Sequence, residues 1–147
     1  MVAPRAPGHR LLQLGCGLFV ASLVLGLLVP VFPSPRRATS AHVLGIVQSL
    51  WLVATGLVWP RLALSRRQAA IAAGLVVYGC LAAWLANLLA AAWAAGGATL
   101  PLESHAGSAA QELVIAIGLR SSVPPLVGSA LLILWGLSRR GRLDDCA

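Results

Sequence analysis

The chain has 147 residues, of which 59% are hydrophobic and only 10% are charged, and its mean hydropathy is +0.85. These values exclude a soluble globular domain and are typical of an integral membrane protein. The formal net charge is +7, but no basic patch is interleaved with aromatic residues, so the arginines are expected to meet lipid headgroups rather than nucleic acid.

Four apolar segments are each long enough to cross a bilayer as a helix, since a span needs about 20 apolar residues. In chain order they are residues 11–32, 41–59, 69–95 and 111–137. Short connections rich in Pro, Ser and Arg separate the first three segments, and the longer stretch 96–110 precedes the fourth. The sequence therefore predicts one domain, an all-α integral membrane four-helix bundle.

The distribution of arginine predicts how this bundle is oriented. Eight arginines flank the spans on the side of the two termini, whereas only Arg36 and Arg37 flank them on the opposite side. Because cytoplasmic flanks carry the excess of positive charge, both termini are predicted to be cytoplasmic. The predicted localisation is the inner membrane of a bacterium, with multiple spans.

Three hydrogen-bonding side chains inside the spans indicate a candidate site. Gln48, Asn87 and Arg120 are predicted to lie roughly 9, 12 and 13 Å below the outer ends of their helices. Polar groups at such depth are costly and commonly functional, and the permanently charged Arg120 needs a counter-ion or a water-filled pocket. Glu112 lies two turns before Arg120, so direct pairing requires the helix to bend. Convergence from three helices predicts a site in the bundle core.

Small side chains follow one face of the second and third spans. On the second span this stripe comprises His42, Gly45, Ser49, Leu52 and Gly56. A flat molecule can lie against such a stripe, or the stripe lets two helices pack closely while amides such as Gln48 and Asn87 join them. The pattern alone leaves both interpretations open.

Further residues have simpler interpretations. The adjacent Pro124 and Pro125 each remove a backbone donor, which predicts a kink or an opening of the fourth span. Tyr78 and the widely scattered cysteines are expected to pack rather than to react. His42 is either an interfacial residue that caps a helix or a ligand of iron, since a single axial histidine can hold a haem.

The sequence around His42 resembles the hydroxylaminobenzene mutase family of small four-helix membrane enzymes, and more distantly the styrene oxide isomerases. The resemblance rests on Ser34-Pro35-Arg36, Ser40-Ala41-His42, Gln48-Ser49 and Trp59-Pro60, and it continues through YGCLAAWLANLLAAAWAAG in the third span and QELVIAIGL in the fourth. Two positions depart from the family pattern. Gln48 stands where the family has Asn, and Ala83 stands where the family has an amide, with Asn87 one turn further along.

The resemblance implies haem b, bound through His42 at the subunit interfaces of a homotrimer, with Gln48 beside the substrate. It further implies rearrangement of a small aromatic substrate by haem iron acting as a Lewis acid, either hydroxylaminobenzene to 2-aminophenol or an aryl epoxide to an aldehyde. We assign Gln48 and Asn87 as catalytic and His42 and Arg120 as cofactor-binding, with His42 as the iron ligand. The alternatives are a non-enzymatic bundle or transporter subunit, and a haem electron carrier with His42 and His105 as axial ligands.

Overall fold

The computed structural model describes residues 5–97 and 107–144, which form four long helices. These are α1 (Arg5–Leu28), α2 (Pro35–Val58), α3 (Arg66–Trp93) and α4 (Ala109–Asp144), with 3-10 turns at Val29–Val31 and Trp59–Arg61. Each contributes a segment long and apolar enough to span a membrane, namely Pro7–Val31, Pro35–Arg61, Arg66–Trp93 and Ala109–Arg139. The predicted all-α membrane fold is confirmed, whereas the orientation of the termini remains a prediction.

The helix α2 begins earlier than the sequence analysis predicted. Its first residue is Pro35, a position that suits proline because the missing N–H would have no partner there. The segment 35–40 is therefore the start of a helix and not a connection. His42 consequently lies two turns inside α2, and the residue that precedes its first turn is Ser34. The interpretation of His42 as a helix cap is wrong.

Local sequence signals fix both ends of α3. At its start Ser65 Oγ accepts from the N–H of Gln68 at 3.3 Å, and Gln68 Oε1 accepts from the N–H of Ser65 at 3.0 Å. This Ser-x-x-Gln capping box satisfies backbone donors that have no partner inside the helix. At its other end Ala94 adopts the left-handed conformation with φ 47°, and the N–H of Ala95 donates to the carbonyl of Ala90 at 3.1 Å. The chain thus leaves the helix through a Schellman turn.

The helices pack as two hairpins rather than as a closed square. The helix α1 packs along α2, α4 packs along α3, and α2 meets α3 between the hairpins. Neither α1 nor α2 packs extensively against α4. This arrangement leaves a cleft between α2 and α4 that is floored by α3, and a separate groove between α1 and α3.

The small-residue stripe of α2 is the surface against which α1 packs. A Cβ atom added to Gly56 would lie 2.8 Å from Leu12 Cγ, and one added to Gly45 would overlap Ser22 Oγ. On α1, a Cβ atom at Gly15 would lie 2.7 Å from Val53 Cγ2. Close helix packing is therefore the interpretation that the structure supports for this stripe, because α1 already covers it.

The proline pair does not open α4. The helix runs without interruption through Pro124 and Pro125. Proline has a φ angle close to the helical value, so a helix continues through it at the loss of one hydrogen bond per proline. Of the two outcomes predicted for this pair, an opening of the helix is excluded.

Candidate active site

The structure brings Gln48, Asn87 and Arg120 to one cleft. Their side chains line a cavity of about 600 Å³ between α2, α3 and α4. The sequence predicts a similar depth for these residues on three helices. Because α2 and α4 pack on either side of α3, the helix faces that carry the three residues are turned toward one another. Their roles in binding or catalysis remain predictions.

The remaining walls of the cleft are mainly apolar. They are formed by Ser40, Leu44, Ala83, Leu119, Ser122, Val123 and Leu126. A small number of polar groups among aliphatic side chains is the usual composition of a small-molecule site, because the apolar walls bind the body of the ligand while the polar groups orient it. The volume is also within the range of small-molecule pockets. The cleft therefore suits a small apolar molecule that carries a polar group.

Gln48 is a residue of the cleft wall and carries an unsatisfied polar atom. The residue is only 6% exposed, and its Oε1 atom is buried without a hydrogen-bond partner among the described residues. A buried acceptor left in this state costs about 1–3 kcal/mol. A rotation of the side chain toward the cleft would let the N–H or O–H donor of a bound molecule recover that free energy.

Asn87 is held in place by its own helix. It is 9% exposed, and Nδ2 donates to the carbonyl of Ala83 at 2.9 Å, one turn earlier on α3. This bond fixes the orientation of the amide and leaves Oδ1 as its other polar end. Asn87 thus supplies the cleft with an oriented amide, one turn beyond Ala83, where the family pattern has an amide.

Arg120 brings a permanent positive charge to the cleft wall. Its side chain is exposed, and no carboxylate among the described residues pairs with it. Glu112 is engaged elsewhere, since its Oε1 accepts from the N–H groups of Gly96 and Gly107, the latter at 2.9 Å. An unpaired guanidinium within an apolar span attracts anions and partially negative oxygen atoms.

His42 faces α1 and not the cleft. Its Nδ1 atom lies 2.7 Å from the carbonyl oxygen of Ser22, and its ring lies against Gly26, where an added Cβ would be 2.6 Å from His42 Cε1. Because a carbonyl oxygen only accepts, Nδ1 is the donor of this hydrogen bond, and in the neutral ring the lone pair is on Nε2. Six residues at about 100° each separate His42 from Gln48 by about 120° around the helix axis. The structure therefore does not bring His42 to the cleft of its own chain.

Arg37 is a buried residue whose role the sequence analysis missed. It was counted only as a flanking charge, yet it is 2% exposed and its Nη1 donates to the carbonyl of Ala95 beyond the end of α3. Gly96 makes room for the guanidinium, because a Cβ there would lie 2.6 Å from Nη1. The available signal was the Ser-Pro-Arg sequence immediately before it, which places Arg37 in the first turn of α2.

Tyr78 and Cys80 have the packing roles that the sequence predicts, whereas Cys16 is exposed. The Tyr78 hydroxyl donates to Ser121 Oγ at 2.9 Å, which joins α3 to α4 as expected of a packing residue. Cys80 is buried in the core. His105, considered above as a second haem ligand, and the third cysteine, Cys146, lie outside the described residues.

Four membrane-spanning helices, three of which enclose a mainly apolar cleft with three polar side chains, define a small multi-pass membrane protein with an intramembrane site. Residues 8–138 match the family model described as styrene oxide isomerase, and the chain belongs to this family. It is a membrane isomerase, and the non-enzymatic alternative is set aside.

Two curated relatives come from Ectopseudomonas oleovorans. Hydroxylaminobenzene mutase HabB is 44% identical over 131 residues, which cover 88% of this chain and 80% of that protein. Hydroxylaminobenzene mutase HabA is 35% identical over 127 residues, which cover 85% of this chain and 94% of that protein. No solved structure matches the chain. The resemblance that the sequence analysis placed on the residues around His42 is confirmed.

Proposed function

We propose that this chain is a mutase of the bacterial inner membrane that converts hydroxylaminobenzene to 2-aminophenol. The names of the two relatives support this substrate. The observation that carries the proposal is the Gln48 amide, buried at an apolar cleft with its oxygen unsatisfied. A hydroxylamine supplies the donors that this amide lacks, and the bilayer concentrates an apolar aromatic substrate beside the cleft.

The proposed reaction is an internal rearrangement that consumes no external electrons. The N–O bond breaks, a C–O bond forms at the ortho carbon, and the proton lost from that carbon goes to the nitrogen. Substrate and product are isomers, so neither a reductant nor an oxidant is needed. Leu44, Leu119 and Val123 contribute apolar surface that keeps bulk water from the aromatic ring, which favours return of the oxygen to the ring over capture by solvent.

Gln48 is the proposed catalytic amide. A primary amide presents an acceptor and a donor side by side, which complements the adjacent N–H and oxygen of a hydroxylamine. Oε1 accepts from the substrate N–H, and Nε2 donates to the substrate oxygen as negative charge develops there during N–O cleavage. A preorganised donor at a developing charge accelerates a reaction by about a hundredfold or more.

Asn87 and Arg120 are proposed to act from the other walls of the cleft. The tethered Asn87 amide positions the polar end of the substrate from α3, opposite Gln48. Arg120 supplies a cation for the anionic groups of a cofactor, as a guanidinium binds carboxylates with paired donors. Both side chains then serve a bound molecule and not the packing of helices.

The residues around His42 fit a haem. Its proton is fixed on Nδ1 by a backbone carbonyl, which is the arrangement that orients a metal-binding histidine and leaves Nε2 for the metal. The described residues contain no group of three His, Cys, Asp or Glu side chains. One histidine therefore suits a cofactor that brings its own equatorial ligands. When bound, ferric haem supplies a Lewis acid that polarises the substrate oxygen.

The separation of His42 from the cleft supports an oligomeric site. Since the two lie on different sides of α2, a cofactor held by His42 would be closer to the Gln48 side chain of a neighbouring copy than to that of its own chain. We propose a homo-oligomer, a homotrimer in accordance with the resemblance, in which each site combines His42 of one copy with the cleft of the next. The haem electron carrier with His42 and His105 as ligands predicts no isomerase activity.

An aryl epoxide is the second candidate substrate, and the description of the matching family model favours it. An epoxide carries an acceptor oxygen but no donor, so only the Nε2 end of the Gln48 amide would bind it. The Oε1 atom would then still lack a hydrogen-bond donor. This difference makes hydroxylaminobenzene the better match to the cleft.

The test combines activity with an absorption spectrum. The purified protein, from cells supplied with haem precursor, is incubated with hydroxylaminobenzene or with styrene oxide in the absence of reductant. We expect 2-aminophenol as the main product and a Soret band that His42→Ala removes. His9→Ala, which changes an exposed histidine of α1, is the matched control and keeps the band. A colourless wild-type protein contradicts the haem proposal, and absence of 2-aminophenol contradicts the proposed substrate.

A further inference from the structure

A second cavity lies on the other side of the bundle from the cleft. It is a groove of about 860 Å³ between α1 and α3, formed almost entirely by aliphatic side chains. Leu14 lines it on α1, and Ala70, Gly74 and Leu85 line it on α3. The groove has no part in the proposed reaction, because Gln48, Asn87 and Arg120 lie in the cleft beyond α3.

The floor of the groove is open along α3. A Cβ atom added to Gly74 would meet no atom within 4 Å, so the missing side chain leaves room that no neighbouring helix fills. The wall runs from Ala70 to Leu85, which corresponds to about 22 Å along the helix axis. This length exceeds half of the roughly 30 Å hydrocarbon core of a bilayer. The groove is thus long enough to hold a lipid acyl chain of one leaflet.

Positive charge is concentrated at one end of the groove. Arg10 lines it directly on α1. Arg66 and Arg67 precede Ala70 by four and three residues, so they share its face of α3. Of the side chains that the structure describes, the acidic one is Glu112, which lies at the opposite end of the bundle and is bound to Gly96 and Gly107. The mouth of the groove is therefore a basic site at headgroup level.

We propose that this groove binds one anionic phospholipid, with an acyl chain along α3 and the headgroup phosphate between Arg10 and Arg67. Basic pockets at the ends of transmembrane helices bind anionic headgroups in this manner. The orientation predicted from the arginines places the lipid in the cytoplasmic leaflet. A second copy of the chain is not the expected occupant, because the homo-oligomer proposed above joins copies through His42 and the cleft and leaves this groove uncovered.

The test measures lipid retention by the purified full-length protein in detergent. Phosphatidylglycerol and phosphatidylcholine with identical acyl chains are titrated, and bound lipid is counted by native mass spectrometry. We expect phosphatidylglycerol to bind more tightly, and Arg10→Gln and Arg67→Gln each to weaken it about fivefold. Arg61→Gln is the matched control, since it removes an exposed arginine at the same end of the bundle but outside the groove.

A second pair of variants tests the apolar part of the site. Gly74→Leu fills the open floor and should abolish retention of phosphatidylglycerol without loss of helix content. Ala54→Leu adds the same side chain to an exposed position on α2 outside the groove and should leave retention unchanged. Equal binding of both lipids, or unchanged retention in Gly74→Leu, overturns the proposal. A change of oligomeric state in Gly74→Leu with no change in lipid retention assigns the groove to a second copy and also overturns it.

Discussion

Arg37 and Glu112 bind the two edges of a single peptide group. Arg37 Nη1 donates to the carbonyl of Ala95, and the N–H of Gly96, which belongs to the same peptide group, donates to Glu112 Oε1. Arg37 lies in the first turn of α2, Glu112 lies in the first turn of α4, and the peptide group follows the end of α3. A cation and an anion thus tie together the three helices that form the cleft.

Removal of Arg37 is expected to destabilise the bundle strongly. Arg37→Ala should lower the free energy of unfolding by about 3 kcal/mol, because the Ala95 carbonyl loses its hydrogen bond to a buried guanidinium. Arg36→Ala, a change at the exposed neighbour, should stay within about 0.5 kcal/mol of wild type. Unfolding titrations in mixed micelles measure both. Equal stability of the two variants contradicts this role of Arg37.

The left-handed residue at the end of α3 offers a stabilising change. Ala94 has φ 47°, a conformation that glycine adopts without the steric cost that a Cβ atom brings. Ala94→Gly should raise the free energy of unfolding by about 1 kcal/mol. Ala92→Gly, two residues earlier inside the helix, should lower it by about 1 kcal/mol. A loss of stability in Ala94→Gly in the same unfolding titration contradicts the assignment of this turn.

Gly26 provides a test of the histidine site that leaves His42 itself intact. Gly26→Ala places a Cβ atom 2.6 Å from His42 Cε1 and 2.7 Å from Nδ1, which forces the ring away from the carbonyl of Ser22. We expect the Soret band of the purified protein to fall at least severalfold. Gly17→Ala on the same helix, where no atom lies within 4 Å, should keep the band. An unchanged spectrum in Gly26→Ala would show that haem binding does not depend on the orientation of the His42 ring, which contradicts this prediction.

The orientation of the bundle is tested by topology reporters. The excess of arginine on one side predicts that both termini are cytoplasmic and that the connection between α3 and α4 is on the outer side. Reporters fused after Arg67 and after Ala98 should therefore label opposite sides of the membrane. Labelling on the same side contradicts the arrangement of four spans.

The sequence predicted those features of the site that depend on helix periodicity and depth. Gln48, Asn87 and Arg120 were placed at one level because each is a polar residue in an apolar run, and helical rise alone sets how deep it lies. The sequence also showed the small-residue stripe of α2, but it did not show which helix packs against that stripe. Whether α1 or a flat molecule covers Gly45 and Gly56 depends on which helices pack together, which periodicity does not specify.

The burial of Arg37 was not predictable in the same way. An arginine beside another arginine, in a segment rich in Pro and Ser, has the composition of an exposed connection. Its burial follows from two tertiary facts, the start of α2 at Pro35 and the position of the Ala95 carbonyl after the turn at Ala94. The side of α2 to which the His42 ring points was not predictable for the same reason, because the carbonyl that it contacts, that of Ser22, belongs to a different helix.

A catalytic role and a packing role of Gln48 predict effects of different size. A hydrogen bond to charge that develops during the reaction contributes on the order of 3 kcal/mol to the rate, which is about a hundredfold in turnover. A hydrogen bond that only joins helices in a membrane contributes about 0.6 kcal/mol of stability. Thr55→Val is the matched control, because it removes another buried, unsatisfied polar atom from α2 that does not line the cleft.

The most direct measurement is therefore the turnover of hydroxylaminobenzene to 2-aminophenol by wild type, Gln48→Leu and Thr55→Val, each purified at the same haem content. We predict that Gln48→Leu keeps its helix content and its absorption spectrum and unfolds at no lower temperature than wild type, but loses about a hundredfold in turnover. Thr55→Val should retain wild-type turnover. Wild-type turnover in Gln48→Leu, accompanied by a lower unfolding temperature, would assign Gln48 to helix packing and contradict the proposed active site.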